Sequence, residues 1–212
     1  IIGQTELIPT NINIPGDFSS ASFFIVAALL KPNSKIKLIN VGLNPLRTGL
    51  LDTLIEMGAN IRIENERIEG NEPVGNIIVK NSLLNGVKVP AERSPSMIDE
   101  FPILSIAASQ AKGTTIFTNL NELKIKESNR MLSIIEMLSS LGCNVKEQYD
   151  SLIIESNGKQ IPGGHLVKTY NYHRIAMSAL IAGMVAESPI SIDEDKMIET
   201  SFPNFIELTN YY

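Results

Sequence analysis

The stretch DFSSASFFIVAALL (Asp17–Leu30) predicts a helix that is apolar on nearly every side. A helix of this kind has no polar face for water and is buried all round in a folded domain. Its first residue, Asp17, stands where a helix N-cap belongs. A second helix of the same character is predicted over Ala176–Met184, AMSALIAGM. The sequence therefore favours helices at the centre of the fold, with sheets outside them.

The first apolar helix opens a unit that recurs along the chain. In each copy the helix is followed by a break and a strand, and then by a second helix. The first copy opens at Asp17 and its second helix stops at Gly58, while the second copy opens at Asp99 and stops at Gly142. A third copy opens at His173. Glycine is the usual stop after a helix, so the matching glycines support the register of the copies.

This alternation of helices and strands predicts an α/β fold rather than an all-helical or an all-β one. We expect one globular domain over residues 14–212, made of three similar subdomains at about 14–95, 96–165 and 166–212. Residues 1–13 are expected to be a hinge or the remnant of a preceding domain.

Composition narrows the class of protein. The chain has 212 residues, of which 43% are hydrophobic, and its formal net charge is −5. This charge argues against the broad basic face that binding to nucleic-acid backbones normally requires. A single cysteine, Cys143, excludes an internal disulfide and a multi-cysteine metal site. No apolar stretch reaches membrane-spanning length without a polar break, and the first residues do not resemble a secretory signal. We expect a protein of the cytoplasm, and a start at Ile1 predicts a fragment of a longer chain.

The densest group of charges is KIKESNR, at Lys124–Arg130. If a helix begins near Ser128, then Lys126, Glu127 and Arg130 share one face at its entry. Free backbone N–H groups and the positive end of the helix dipole lie at the same place. This arrangement predicts a site for a small phosphorylated acid. The alternative is an ordinary charged first turn.

Six distinctive phrases follow one another along the chain: IPGDFSSA (Ile14–Ala21), NPLRTG (Asn44–Gly49), SMIDEFPI (Ser96–Ile103), KIKESNR (Lys124–Arg130), HRIAM (His173–Met177) and TSFPNF (Thr200–Phe205). In this order they resemble the C-terminal half of the 5-enolpyruvylshikimate-3-phosphate (EPSP) synthase family. The resemblance extends over most of the chain.

The resemblance implies a two-domain enzyme in which each domain is a threefold βαβαββ-type assembly with helices inside. Helix N-termini of both domains would face a common cleft, and the parent protein would be a monomer. The implied reaction transfers the enolpyruvyl group of phosphoenolpyruvate to the 5-hydroxyl of shikimate 3-phosphate and releases phosphate, with no metal and no organic cofactor. This chain would supply one domain, and without the N-terminal domain it is expected to have negligible activity.

The resemblance also implies a role for each of five residues. Asp99 would deprotonate the shikimate hydroxyl, and Glu127 would move the proton at the methylene carbon of phosphoenolpyruvate. Lys126 would contact shikimate 3-phosphate, while Arg130 and Arg174 would bind phosphoenolpyruvate through their planar guanidinium groups. Taken singly, Asp99 could be a helix cap, Glu127 a surface carboxylate and the three cations solvated charges.

Two residues depart from the pattern of the family. Tyr172 stands before His173 where the family usually has aspartate, so we expect Arg174 to lose an orienting ion pair there. Asn129 replaces another aspartate, and its amide can still cap a helix.

Two other interpretations stay open. One is the related enolpyruvyl transferase that acts on a UDP-amino sugar, although the KIKESNR phrase fits the shikimate enzyme better. The other is a non-catalytic repeat domain that binds anions or a partner. Binding of phosphate or phosphoenolpyruvate without turnover, even after the missing half has been supplied, would favour this second interpretation.

Overall fold

The computed structural model describes residues 3, 9, 11–125 and 129–210. Within these ranges helices and strands alternate, so the α/β class predicted from the sequence is confirmed. The helices are α1 (Phe18–Leu30), α2 (Gly49–Glu56), α3 (Phe101–Ser109), α4 (Asn121–Lys124), α5 (Arg130–Ser140), α6 (His173–Gly183), α7 (Lys196–Ser201) and α8 (Phe205–Thr209), with a 3₁₀ helix at Ala91–Met97.

The strands of the described residues form three sheets. Two of these are antiparallel, with the strand orders β1-β3-β2 and β4-β6-β5, and the third is a short parallel pair of β7 and β8. The strands are β1 (Lys35–Gly42), β2 (Asn60–Glu69), β3 (Glu72–Lys80), β4 (Lys112–Phe117), β5 (Asn144–Gln148), β6 (Ser151–Asn157), β7 (Leu166–Val167) and β8 (Ser191–Ile192).

Signals at the helix ends agree with the predictions made from the sequence. Asp17 caps α1, because its carboxylate accepts a hydrogen bond of 2.7 Å from the N–H of Ser20. Gly58 and Gly142 follow α2 and α5 with φ angles of +95° and +79°. This left-handed conformation costs little for glycine, so both residues end their helices as predicted.

Three helices make up much of the interior of the described fold. Every residue of α3 is buried, and in α1 only Ser20 and Leu30 are partly exposed. Helix α3 packs against both α1 and α6, and α1 also contacts α6. Strand β1, by contrast, leaves every second residue exposed over most of its length. The packing of α1, α3 and α6 against one another therefore fixes where the N-terminal ends of these three helices lie.

Phe205 ties the end of the described chain to α1. Its ring is fully buried and lies 5.7 Å from the ring of Phe23 and 5.6 Å from that of Phe24, measured between centroids. We expect Phe205→Ala to lower the free energy of unfolding by about 3–5 kcal/mol, because the substitution leaves a cavity in this cluster. Urea denaturation would measure the loss. Ile206→Ala is the matched control on the same helix, since Ile206 is 36% exposed, and equal losses for the two variants would contradict the prediction.

Candidate active site

Three of the predicted site residues lie together, although they are far apart in the sequence. Asp99 lies just before α3, Arg130 is the first residue of α5, and Arg174 is the second residue of α6. Oδ1 of Asp99 accepts a hydrogen bond of 2.9 Å from Nη1 of Arg130, and Oδ2 accepts one of 3.4 Å from Nη2 of Arg174. The N-terminal ends of three helices therefore meet at one carboxylate.

The other two predicted site residues, Lys126 and Glu127, lie outside the described residues, and their roles stay predictions. The start of a helix predicted at the charged stretch is confirmed, but α5 begins at Arg130, after Lys126 and Glu127, so the helix face predicted to be shared by these three residues is not confirmed. Asn129 caps it by accepting a hydrogen bond of 3.0 Å from the N–H of Leu132.

The alternative role of Asp99 as a helix cap is wrong. Helix α3 begins at Phe101, and the residue in the cap position is Glu100, whose side chain makes no capping bond. The carboxylate of Asp99 turns toward the two arginines instead. Its side chain is 32% exposed, which leaves it accessible to a ligand.

The two arginines are cations with little exposure to solvent. Each has a side chain only 16% exposed, and the N-terminal ends of α5 and α6 add positive potential. Burial is the main cause that lowers the pKa of the neighbouring His173, and the positive charges of Arg174 and Arg130 lower it further. Guanidinium groups held in this way suit the oxygen atoms of phosphate or carboxylate.

Glu100 is a part of the site that the sequence did not reveal. It is 1% exposed, its Oε1 accepts a hydrogen bond of 2.5 Å from Oγ of Ser19, and the same atom lies 3.8 Å from Nη1 of Arg174. Burial raises the pKa of its carboxyl, against the lowering effects of Ser19 and Arg174. The only signal in the sequence was a second acid beside Asp99. An acid before a helix usually indicates a cap, so this signal pointed elsewhere.

Tyr172 contacts Arg130 rather than Arg174. The guanidinium carbon of Arg130 lies 4.9 Å from the centroid of the phenol ring, within the range of a cation–π interaction. Burial raises the pKa of Tyr172 to about 12, so the ring stays neutral. The departure from the family pattern does not leave Arg174 without an acid, because Asp99 and Glu100 both lie beside it.

Among residues 11–125 and 129–210, no three His, Cys, Asp or Glu side chains are grouped so that they could hold a metal ion. Across the same part of the chain, no helix combines the length and the apolar character that crossing a membrane requires.

The fold and this cluster define an α/β domain in which two arginines from separate helices contact one carboxylate. A family profile described as EPSP synthase (3-phosphoshikimate 1-carboxyvinyltransferase) matches residues 1–208. The chain therefore belongs to the EPSP synthase family, as the six phrases had implied.

Individual relatives agree with this assignment. A 3-phosphoshikimate 1-carboxyvinyltransferase of Granulibacter bethesdensis is 55% identical over 206 residues, which are 97% of this chain and 45% of the relative. The corresponding protein of Paramagnetospirillum magneticum is 49% identical over 99% of this chain and 47% of its own length. A solved EPSP synthase from Acinetobacter baumannii matches with a TM-score of 0.94 at 40% identity, over 100% of this chain and 49% of that one. The chain thus spans about half the length of the curated relatives that it matches.

Proposed function

We propose that this chain supplies one of the two domains of a 3-phosphoshikimate 1-carboxyvinyltransferase. The enzyme transfers the enolpyruvyl group of phosphoenolpyruvate to the 5-hydroxyl of shikimate 3-phosphate and releases phosphate. The observation that carries the proposal is the cluster of Asp99, Arg130 and Arg174 in a chain of this family. This reaction needs a proton acceptor and groups that bind anions, and here two such groups lie within hydrogen-bonding distance of the acceptor.

Each residue has its own task in the proposed reaction. Asp99 accepts the proton of the attacking hydroxyl, which makes the oxygen a better nucleophile. Arg130 and Arg174 bind the phosphate or carboxylate of phosphoenolpyruvate and stabilise negative charge that develops there. Lys126 contacts shikimate 3-phosphate, and Glu127 moves the proton at the methylene carbon. These last two roles rest on the resemblance of the KIKESNR phrase alone.

The proposal includes the architecture of the parent protein. Residues 14–212 form one domain of three βαβαββ-type repeats, at about 14–95, 96–165 and 166–212, after a hinge at 1–13. The matching strand orders of the first two sheets support this division, since in each the last of the three strands in the sequence lies in the middle. The N-terminal domain of the enzyme is the partner that completes the site.

Phosphate release tests the proposed function. The chain is mixed with the N-terminal half of a related synthase and supplied with phosphoenolpyruvate and shikimate 3-phosphate. We expect turnover by the mixture and at least ~100-fold slower release by the chain alone, because half of the groups that position the substrates are then missing. The mixture without shikimate 3-phosphate is the control. Well-folded halves that bind phosphoenolpyruvate but release no phosphate would instead indicate a non-catalytic anion-binding domain.

A further inference from the structure

Glu100 is a buried acid that the proposed chemistry does not use. Its side chain is 2% exposed, whereas that of Asp99, the preceding residue, is 32% exposed. Removing a carboxylate from water is costly unless it is paired and hydrogen-bonded, so a buried one calls for a structural explanation. Glu100 cannot reach a ligand in solvent as Asp99 can, and any effect on the reaction has to pass through its neighbours.

The neighbours of Glu100 come from three separate parts of the chain. Ser19 on α1 donates its hydroxyl hydrogen to Oε1 of Glu100, and Oγ of Ser19 accepts a hydrogen bond of 3.2 Å from Nη2 of Arg47. Arg174 approaches the same Oε1 from α6. The carboxylate therefore connects the N-terminal ends of α1 and α6 through a single atom.

Arg174 is contacted by two acids, one through each terminal nitrogen. Nη2 lies 3.4 Å from Oδ2 of Asp99, and Nη1 lies 3.8 Å from Oε1 of Glu100. In the proposed reaction Asp99 turns to the hydroxyl of bound shikimate 3-phosphate before it takes up the proton, so its attraction for Arg174 is weakened already in the complex with the substrates. A second, buried carboxylate that does not take part keeps the guanidinium in place throughout.

We infer that Glu100 is a positioning residue that holds Arg174 in the orientation for binding the anionic groups of phosphoenolpyruvate while Asp99 contacts the substrate hydroxyl. This inference rests on the proposed function. Ser19 fixes the carboxylate from α1, and Arg47 donates to Ser19, so the orientation of Arg174 depends on contacts that extend to α1 and Arg47. A misplacement of a binding group by about 1 Å can cost on the order of 100-fold in kcat/KM, which is why such a support matters.

The test compares Glu100→Gln with the unchanged sequence in the reassembled two-domain enzyme. Glutamine keeps the size of the side chain and an oxygen that accepts from Ser19, but it has no charge for Arg174. We expect KM for phosphoenolpyruvate to rise by about 10-fold to 100-fold, with smaller changes in kcat and in KM for shikimate 3-phosphate. Glu92→Gln, the same change at an exposed acid of the 3₁₀ helix, is the matched control and is expected to change neither KM.

A pH series separates loss of the charge from loss of packing. The groups around the carboxyl of Glu100 are Ser19, Arg174, Asp99 and Arg47, and burial raises its pKa above the ordinary value. As the pH falls through this raised pKa, the unchanged enzyme also loses the charge of Glu100. The KM for phosphoenolpyruvate of Glu100→Gln, divided by that of the unchanged enzyme, is therefore expected to approach one at low pH. A ratio that is the same at every pH would show a packing effect and overturn the inference.

Other outcomes are equally decisive. Equal KM values for Glu100→Gln and the unchanged enzyme, or equal increases for both substrates, would overturn the inference while leaving the proposed function intact. If the unchanged pair of halves shows no turnover, calorimetric titration with phosphoenolpyruvate replaces KM, and an absence of binding would reject the function and the inference together. If Glu100→Gln does not fold, Ser19→Ala is measured in the same way, because it removes the bond that fixes the carboxylate. An unchanged KM in that variant would count against the inference.

Discussion

Asp99→Asn should lower kcat of the reassembled two-domain enzyme by about 10²–10⁴-fold, the range that loss of a general base produces. Asparagine has the same shape but cannot accept the proton of the substrate hydroxyl at neutral pH. The substitution also removes the negative charge that contacts Arg130 and Arg174. Both arginines then attract an incoming anion at least as strongly as before. We therefore expect kcat to fall while KM for phosphoenolpyruvate stays level or decreases. Steady-state phosphate release measures both constants.

Asp17→Asn is the matched control for this prediction. Asp17 is also an acid at the N-terminal end of a buried helix, but its carboxylate caps α1 through Ser20. Asparagine is about as good a cap as aspartate, so this variant should keep its stability and activity. If Asp99→Asn retained a kcat within a few-fold of the unchanged enzyme, another group would have to be the base.

The elements of the fold could be predicted because their signals are local. The apolar run of α1, the cap at Asp17 and the glycines at Gly58 and Gly142 act on the few residues beside them, and the structure confirms each one. The start of α5 follows from the same kind of signal, and Asn129, whose amide can cap a helix, fills the cap position. Sequence signals that act over a few neighbouring residues do not depend on how distant segments of the chain pack.

The partners of the site residues could not be predicted in this way. Asp99 and Arg174 are 75 residues apart, and Ser19 and Glu100 are 81 apart, so these contacts exist only once α1, α3 and α6 have packed together. The resemblance brought Asp99, Arg130 and Arg174 into one site, but it said nothing of the buried acid beside them. Composition alone would also have treated Glu100 as exposed, since unpaired glutamate is rarely buried.

The role of Tyr172 shows the same limit at a single position. From the sequence it was a missing acid, and the expected consequence was a loosely held Arg174. The structure shows a neutral ring against Arg130, with the acids for Arg174 supplied from the turn before α3. A neutral ring orients a guanidinium without neutralising its charge, so that charge stays available to an anionic ligand.

Arg130→Met should weaken the binding of phosphoenolpyruvate to the reassembled enzyme by about 2–5 kcal/mol, the cost of removing one member of a desolvated charge pair. Arg130 joins Asp99 at 2.9 Å and stacks on Tyr172, so its guanidinium is already oriented before a ligand arrives. Little further ordering is then needed on binding, and the contact contributes most of its energy to affinity. Calorimetric titration with phosphoenolpyruvate measures the loss.

Arg130→Lys shows whether the shape of the guanidinium or only its charge matters for binding phosphoenolpyruvate, and Arg93→Met serves as the control. Arg130→Lys keeps a positive charge but loses the planar fork and the stacking on Tyr172, so we expect an affinity between those of the methionine variant and the unchanged enzyme. Arg93→Met is the matched control, because Arg93 also forms a carboxylate pair, with Glu56 at 2.6 Å, outside the site. Arg93→Met should change the stability of the protein and leave its affinity for phosphoenolpyruvate unchanged. If Arg130→Lys bound phosphoenolpyruvate as tightly as the unchanged enzyme, charge alone would account for the affinity, and the ring of Tyr172 would have no part in it.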